Sequence, residues 1–248
     1  MMNDNHTPVS WFRMTELDRI NAPELAARIA EAEAEQLQGK PRSYPGYPTW
    51  QLPVAKPRWS PSFDAVLKRR RCHHKLASAF PGEATLGRLL QCAHGITGEL
   101  YRGPVPSAGG LQALEVFLVH WQDAWLPGGA YHYDRGGHCL SQVRAGAEES
   151  GWRQRFPSLH QFSGGALLWI LVGDTRLVTR KYGERGERFL LLEAGHLMQN
   201  LCLVSESLGQ RTVPLGGYME RDIAKELRLL NDDLVLYAAV CGEAVRER

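Results

Sequence analysis

Residues Glu187 to Leu208 read as one long helix closed by Gly209, and that helix is apolar on nearly every side. Such a segment must run through the core or along a subunit interface. It opens on a dense set of charges, Arg180-Lys181-Tyr182-Gly183-Glu184-Arg185-Gly186-Glu187-Arg188. Within it, Glu193, His196, Gln199 and Asn200 recur about a turn apart. Polar groups buried without partners are costly, so these side chains are expected to form a network across helices or at a dimer seam. Glu-x-x-His spacing also puts two potential metal ligands on one face. No second ligand set accompanies them, and His132 and His138 read as hairpin positions, so no metal is expected.

The segments around this helix mix both kinds of secondary structure. Asn21 and Pro23 suit the start of a solvated helix reaching Gln38. Six prolines, at positions 41, 45, 48, 53, 57 and 61, then argue against regular structure and for an extended arm or linker. Ser62 caps a short helix to Arg69, and Thr85 to Ala93 forms a second helix stopped by Gly95. Leu114 to Trp121 is a strand. Ala130 to Asp134 and Cys139 to Val143 form a hairpin around Gly136-Gly137. Glu148 to His160 reads as helical, and the continuous apolar run Ala166 to Val172 as a central strand buried on both faces. Arg211 to Leu215 is a strand, Glu220 to Leu227 a helix and Leu234 to Cys241 a last strand. Without strict βαβ alternation, the fold class is α+β. Two parts are expected: residues 1–60 as helix and proline-rich arm, and residues 61–248 as the main domain.

A chain of 248 residues can bury a large core without staples. With Lys+Arg 29 against Asp+Glu 27, its net charge of +2 argues against nucleic acid as a partner and gives no pull toward a membrane surface. The apolar runs are too short to span a bilayer. Five scattered cysteines, none in a Cys-x-x-Cys spacing, fit reduced thiols in the cytoplasm. Met1 to His6 lacks a basic and then apolar signal pattern.

Four segments carry a more specific signal: Arg69-Arg70-Arg71-Cys72-His73-His74; Pro104 to Leu111 followed by Leu114-Glu115-Val116; Gly128 to Asp134; and Lys181-Tyr182-Gly183 through Glu193-Ala194-Gly195-His196 to Gln199-Asn200-Leu201. Leu215-Gly216-Gly217-Tyr218 adds a fifth. In this order they resemble the nitroreductase superfamily of FMN-dependent oxidoreductases, and most of all its azoline dehydrogenase branch, which oxidises thiazolines and oxazolines in peptide natural-product biosynthesis. The resemblance spans roughly residues 62 to 242. It implies a central, mostly antiparallel sheet flanked by helices, a homodimer with the long helix at its interface, and FMN between the subunits. The family's first motif usually reads Arg-Arg-Ser-x-Arg, so Cys72 and His74 are departures at the flavin. After Leu111 the family often continues Tyr-Pro, where this chain has Gln112-Ala113.

The residues can be matched to tasks. Arg70 and Arg71 would grip the FMN phosphate, because a guanidinium meets phosphate oxygens with two donors; in isolation they read as a solvated basic run. Cys72 and His74 would line the ring edge. The small residues of Pro106-Ser107-Ala108-Gly109 and of Leu215-Gly216-Gly217 would let backbone N–H groups approach a flat ring. The resemblance makes Lys181 and Tyr182 the catalytic acid/base pair. A lysine serves as a base only when desolvation or nearby cations depress its pKa from ~10.4. The substrate would be a small molecule, a peptide or a carrier-tethered unit. Two other functions remain open: an NAD(P)H-dependent nitro- or quinone reductase, and a flavin-free scaffold that docks a biosynthetic partner through the arm.

Overall fold

A computed structural model describes residues 11–54, 61–243 and 245. Met1 to His6 and Pro57 of the arm, which figure in the reading above, lie outside the described residues. The centre is a seven-stranded sheet made of β1 (Thr49–Gln51), β2 (Leu114–His120), β3 (Gly129–Asp134), β4 (Cys139–Ala145), β5 (Leu167–Asp174), β6 (Gln210–Leu215) and β7 (Asp233–Glu243). Their order is β1-β4-β3-β2-β5-β7-β6, and every neighbouring pair is antiparallel.

The apolar runs explain why β2 and β5 sit in the middle. Every position of both strands is buried, and successive residues alternate between two cores. Leu114, Val116, Leu118, Leu167, Trp169 and Leu171 face one layer. Phe117, Val119, Leu168, Ile170 and Val172 face the other. The first layer is covered by helices α4 (Glu83–His94) and α7 (Gly186–Ser207), through Leu89, Leu90, Leu197 and Leu201. The second is covered by α5 (Glu149–Arg155), α8 (Glu220–Glu226) and the turn between α5 and β5, through Trp152, Phe156 and Ile223. Helix α3 (Phe63–Arg69) begins at Ser62, whose hydroxyl accepts from the Ala65 amide as the sequence implied.

Three expectations need correction, and the long helix refines a fourth, since within one chain it meets the core along one side only. Helix α7 is only half covered: Leu191, Leu192, Gly195, His196 and Gln199 form an exposed stripe along it. The polar set on this helix therefore splits. Glu193 is buried, His196 and Gln199 face out, and Asn200 donates to the Ala93 carbonyl (3.3 Å). The span Glu148 to His160 breaks at Pro157, which lacks the donor a continuing α-helix needs, and resumes as a 3-10 turn over Pro157–Gln161. The proline-rich arm is not wholly irregular, because Thr49 to Gln51 pair with Ser141 to Cys139 as an edge strand. Edge strands are where proline is tolerated. Finally, His132 is a core residue, fully buried with its Nε2 2.7 Å from the Glu115 carboxylate.

Two helices bring the N-terminal residues and the charged segment together. A short α1 (Trp11–Met14) precedes α2 (Ala22–Ala34), and α2 packs on α6 (Thr175–Tyr182). Helix α6 was not expected. Asp174 caps it, accepting from the Arg176 amide (3.0 Å) and pairing with the Arg176 guanidinium (2.7 Å). Gly183 ends it at φ +59. Arg42 ties the arm to the sheet through a bidentate pair with Asp233 (2.8 and 2.7 Å). Among the described residues, no helix is long and apolar enough to cross a membrane.

Candidate active site

The last turn of α6 delivers Lys181 and Tyr182 to the loop Pro106 to Gly110. Gly109 marks the meeting point. Its φ is +59, and a Cβ placed there would stand 2.5 Å from the Tyr182 hydroxyl and 3.0 Å from Lys181 Nζ. Only a residue without a side chain leaves both groups in place. The Ser107 hydroxyl accepts from the Gln112 amide (2.7 Å) and shapes the loop. Lys181 is therefore no exposed turn residue: it is 7% exposed, and its Nζ lies 3.6 Å from the Glu33 carboxylate of α2. The Tyr182 ring packs edge-on against Phe189 at 4.9 Å. Burial, then the charge of Glu33, pushes the Tyr182 hydroxyl pKa up.

Two cavities flank this junction. One, about 320 Å³, is lined by Ser107, Ala108, Tyr182, Phe189, Leu192 and Glu193 among others. The second, about 310 Å³, is lined by Glu33, Gln36, Arg102, Gly109, Gly110 and Lys181 among others. Glu193 is 1% exposed, and its Oε1 has no hydrogen-bond partner among the described residues. Burial pushes its pKa up to about 7, although the Ser107 hydroxyl, the Arg135 guanidinium and the Ala108 and Ala113 amides act in the opposite direction.

The other expected residues gather elsewhere. Arg69 and Arg211 both pair with Glu206, at 3.3 and 2.9 Å, near the far end of α7. Arg70 caps the end of α3, and its carbonyl accepts from Arg71 Nη1 (2.7 Å). Among the described residues, neither the Arg70 nor the Arg71 guanidinium forms an ion pair with a carboxylate, whereas Arg69 and Arg211 share Glu206. Arg70 and Cys72 stand close enough to Cys202 of α7 to perturb its thiol electrostatically. His74 stacks on Phe162 at 5.1 Å. Leu215 ends β6, and the Gly217 carbonyl accepts from the Ser158 hydroxyl (2.9 Å). A Cβ on Gly216 would meet nothing within 4 Å, so packing within this chain does not require glycine there.

One chain thus holds two separate sets. Pro106, Ser107, Ala108, Gly109, Lys181 and Tyr182 cluster near Glu193. Arg70, Arg71 and Cys72 follow Arg69 toward the Glu206 end, whereas His74 and Leu215 to Gly217 lie beside Phe162 and Ser158 of the turn between α5 and β5. Glu193 and Glu206 are 13 positions apart on α7, about 20 Å at ~1.5 Å per residue. Sequence reasoning did not assign Glu33, Glu206 or Arg211, whose proximity depends on tertiary packing. Glu193 carried a visible signal, a carboxylate in an apolar run, without an assigned task.

The chain is similar to several known proteins. The sequence profile described as the nitroreductase family matches residues 67–243. A protein of Methanocaldococcus jannaschii that carries a nitroreductase name, MJ1384, is 30% identical over 175 residues, covering 70% of this chain and 87% of MJ1384. The microcin B17-processing protein McbC of Escherichia coli is 30% identical over 142 residues, and the match spans about half of each chain, 52% and 49%. Among solved structures, a chain of the E. coli microcin synthetase McbBCD complex with truncated pro-MccB17 superposes with a TM-score of 0.63 at 20% identity, covering 94% of this chain and 100% of that one. A nitroreductase-fold protein of Exiguobacterium sibiricum in complex with FMN gives 0.54 at 14% identity, covering 76% and 91%.

Proposed function

The chain belongs to the nitroreductase family, and from that premise, and from its partial likeness to McbC, we propose that it is an FMN-dependent dehydrogenase of the McbC type. Its substrate on this reading is a thiazoline, oxazoline or related amino-acid-derived ring carried on a peptide. The observation that supports it most is the convergence of Lys181 and Tyr182 on Gly109. Acid/base groups are brought beside a loop with room for a flat ring, and a cavity of about 320 Å³ adjoins them.

The residues present suit FMN. Arg70 and Arg71 would hold its phosphate, with Cys72 and His74 toward the ring edge. Pro106 to Gly109 and Leu215 to Gly217 would offer backbone amides to the ring, and Gly109 and Gly216 keep side chains out of the way. When bound, FMN supplies a two-electron acceptor for the substrate's hydride equivalent. Lys181 takes the proton from the neighbouring carbon, and Tyr182 orients the ring or relays that proton. Because Arg70 and Arg71 lie toward the end of α7 away from Lys181 and Tyr182, a complete site on this reading draws on two copies of the chain. The stripe Leu191, Leu192, Gly195, His196 and Gln199 is the surface on which a second copy would pack. Residues 61–243 then form the FMN-binding domain, with residues 11–54 as an arm laid over it. Five free cysteines fit a reducing compartment, the cytoplasm.

The test begins with the absorption spectrum of the purified protein, which should show oxidised flavin. Lys181→Ala should keep the flavin and lose about 10²-fold or more in azoline turnover under oxygen. Full turnover in that variant would remove Lys181 from the mechanism. Rapid bleaching of the flavin by NADPH in stopped flow would favour the reductase instead, and a colourless protein that does not bind added FMN would favour the scaffold.

A further inference from the structure

Of the two cavities beside Gly109, Tyr182 lines the first and Lys181 the second, the one of about 310 Å³. Arg102 lines that second cavity too. The two cations stand against consecutive glycines, both at positive φ. A Cβ on Gly109 would lie 3.0 Å from Lys181 Nζ, and one on Gly110 would lie 3.4 Å from Arg102 Nε. Carboxylates do not serve them equally. Glu33 lies 3.6 Å from Lys181 Nζ, whereas among the described residues no carboxylate pairs with the Arg102 guanidinium. With Lys181 protonated, the lining therefore holds two positive charges against one negative. A strained turn sets Arg102 in place. Leu100 and Tyr101 take φ of +55 and +59, where residues with side chains are uncommon. The Arg102 amide donates to the Glu99 carbonyl (3.1 Å), and its carbonyl accepts from the Thr97 and Gly98 amides (2.9 and 3.1 Å). Backbone strain of this kind gathers at ligand sites, where the surroundings hold it. The same turn supplies apolar Leu100 to the cavity lining beside the guanidinium.

From this geometry we infer that Arg102 receives a carboxylate attached to the azoline ring, so that the preferred substrate has its ring at the C-terminal end of the peptide. A guanidinium meets a carboxylate with two parallel donors, and one negative charge balances the cation that the chain leaves unpaired. Anchoring that substituent also fixes the adjoining ring C–H within the cavity that Lys181 lines. The inference rests on the flavin-dehydrogenase reading and deepens it by naming the group the substrate must carry. Arg102 is a specificity residue, distinct from the proton transfer assigned to Lys181.

The experiment titrates the full-length protein, as purified, with two azole products by calorimetry at pH 7.5. One is a short peptide ending in thiazole-4-carboxylate, and the other is the same peptide ending in thiazole-4-carboxamide. The wild type should bind the acid about tenfold or more tightly than the amide. Arg102→Gln should bind the two alike. Arg102→Lys, which keeps the charge without the planar fork, should retain part of the preference. Arg102 is exposed, so neither change disturbs the core. With the corresponding thiazolines as substrates, Arg102→Gln should raise KM for the acid about tenfold and leave KM for the amide unchanged. The inference is overturned if the wild type binds acid and amide alike, if it binds neither while holding flavin, or if the preference for the acid survives in Arg102→Gln. A protein that holds no flavin and takes up no added FMN would instead overturn the dehydrogenase reading, and this inference with it.

Discussion

At the scale of single residues, Glu193 has a consequence for stability. Its folded pKa is raised to about 7 from an ordinary value of 4.5. A carboxyl raised in this way contributes its stability in full below about pH 4.5 and loses it as pH rises through 7. For a group this buried the span is worth about 3 kcal/mol, or roughly 6–12 °C in melting temperature for a domain of this size. Apoprotein melted at pH 5 and pH 8 should therefore lose more stability at the higher pH than Glu193→Gln does. Arg135, Tyr182 and His196 surround the position in both proteins, so the difference isolates the carboxyl. Identical pH dependence in the two would show that Glu193 finds a partner in solution. The sequence showed that Glu193 sits in an apolar run, but the loss of its neighbours His196 and Gln199 to the exposed side was not visible. Helical spacing places residues on faces; what covers each face is decided by the other elements. His132 was misread for the same reason, because nothing along the chain indicated Glu115 opposite it.

At the scale of elements, the strands and the helix starts were legible because their signals are local. Continuous apolar runs marked β2 and β5, Ser62 marked α3, and Gly209 followed α7. Helix α6 was not legible: Thr175 to Tyr182 is amphipathic but only two turns long, too short for its periodicity to stand out, and it packs on α2 and α7. That packing depends on Gly39. A side chain there would collide with the Leu111 carbonyl, just past the loop that meets Lys181. Glu33 and Glu35 of the same segment face Lys181 and Arg180. Gly39→Val should lift α2 from α6 and expose Lys181, and mass spectrometry after brief treatment with an amine-reactive reagent should find that lysine labelled several-fold faster than in the wild type. Unchanged labelling would mean the arm is held without this close approach.

At the scale of the whole molecule, the separation of the two residue sets determines how the protein can be tested as a pair. On the proposed reading, Lys181 of one chain serves the same flavin as Arg70 and Arg71 of its partner. Lys181→Ala and the double variant Arg70→Ala, Arg71→Ala should each be inactive alone. Unfolded and refolded together in equal amounts, they should recover roughly a quarter of wild-type turnover, since half the dimers are mixed and each mixed dimer keeps one intact site. No recovery would put both sets in the same chain's site and overturn the shared arrangement.

The 20 Å of helix between Glu193 and Glu206 has one more consequence. If tail and ring are held by different polypeptides, cofactor and partner act as glue for one another, and by linkage each tightens the other's hold to the same degree. Dilution would then bleach the protein as surely as stripping its pigment would drive the halves apart.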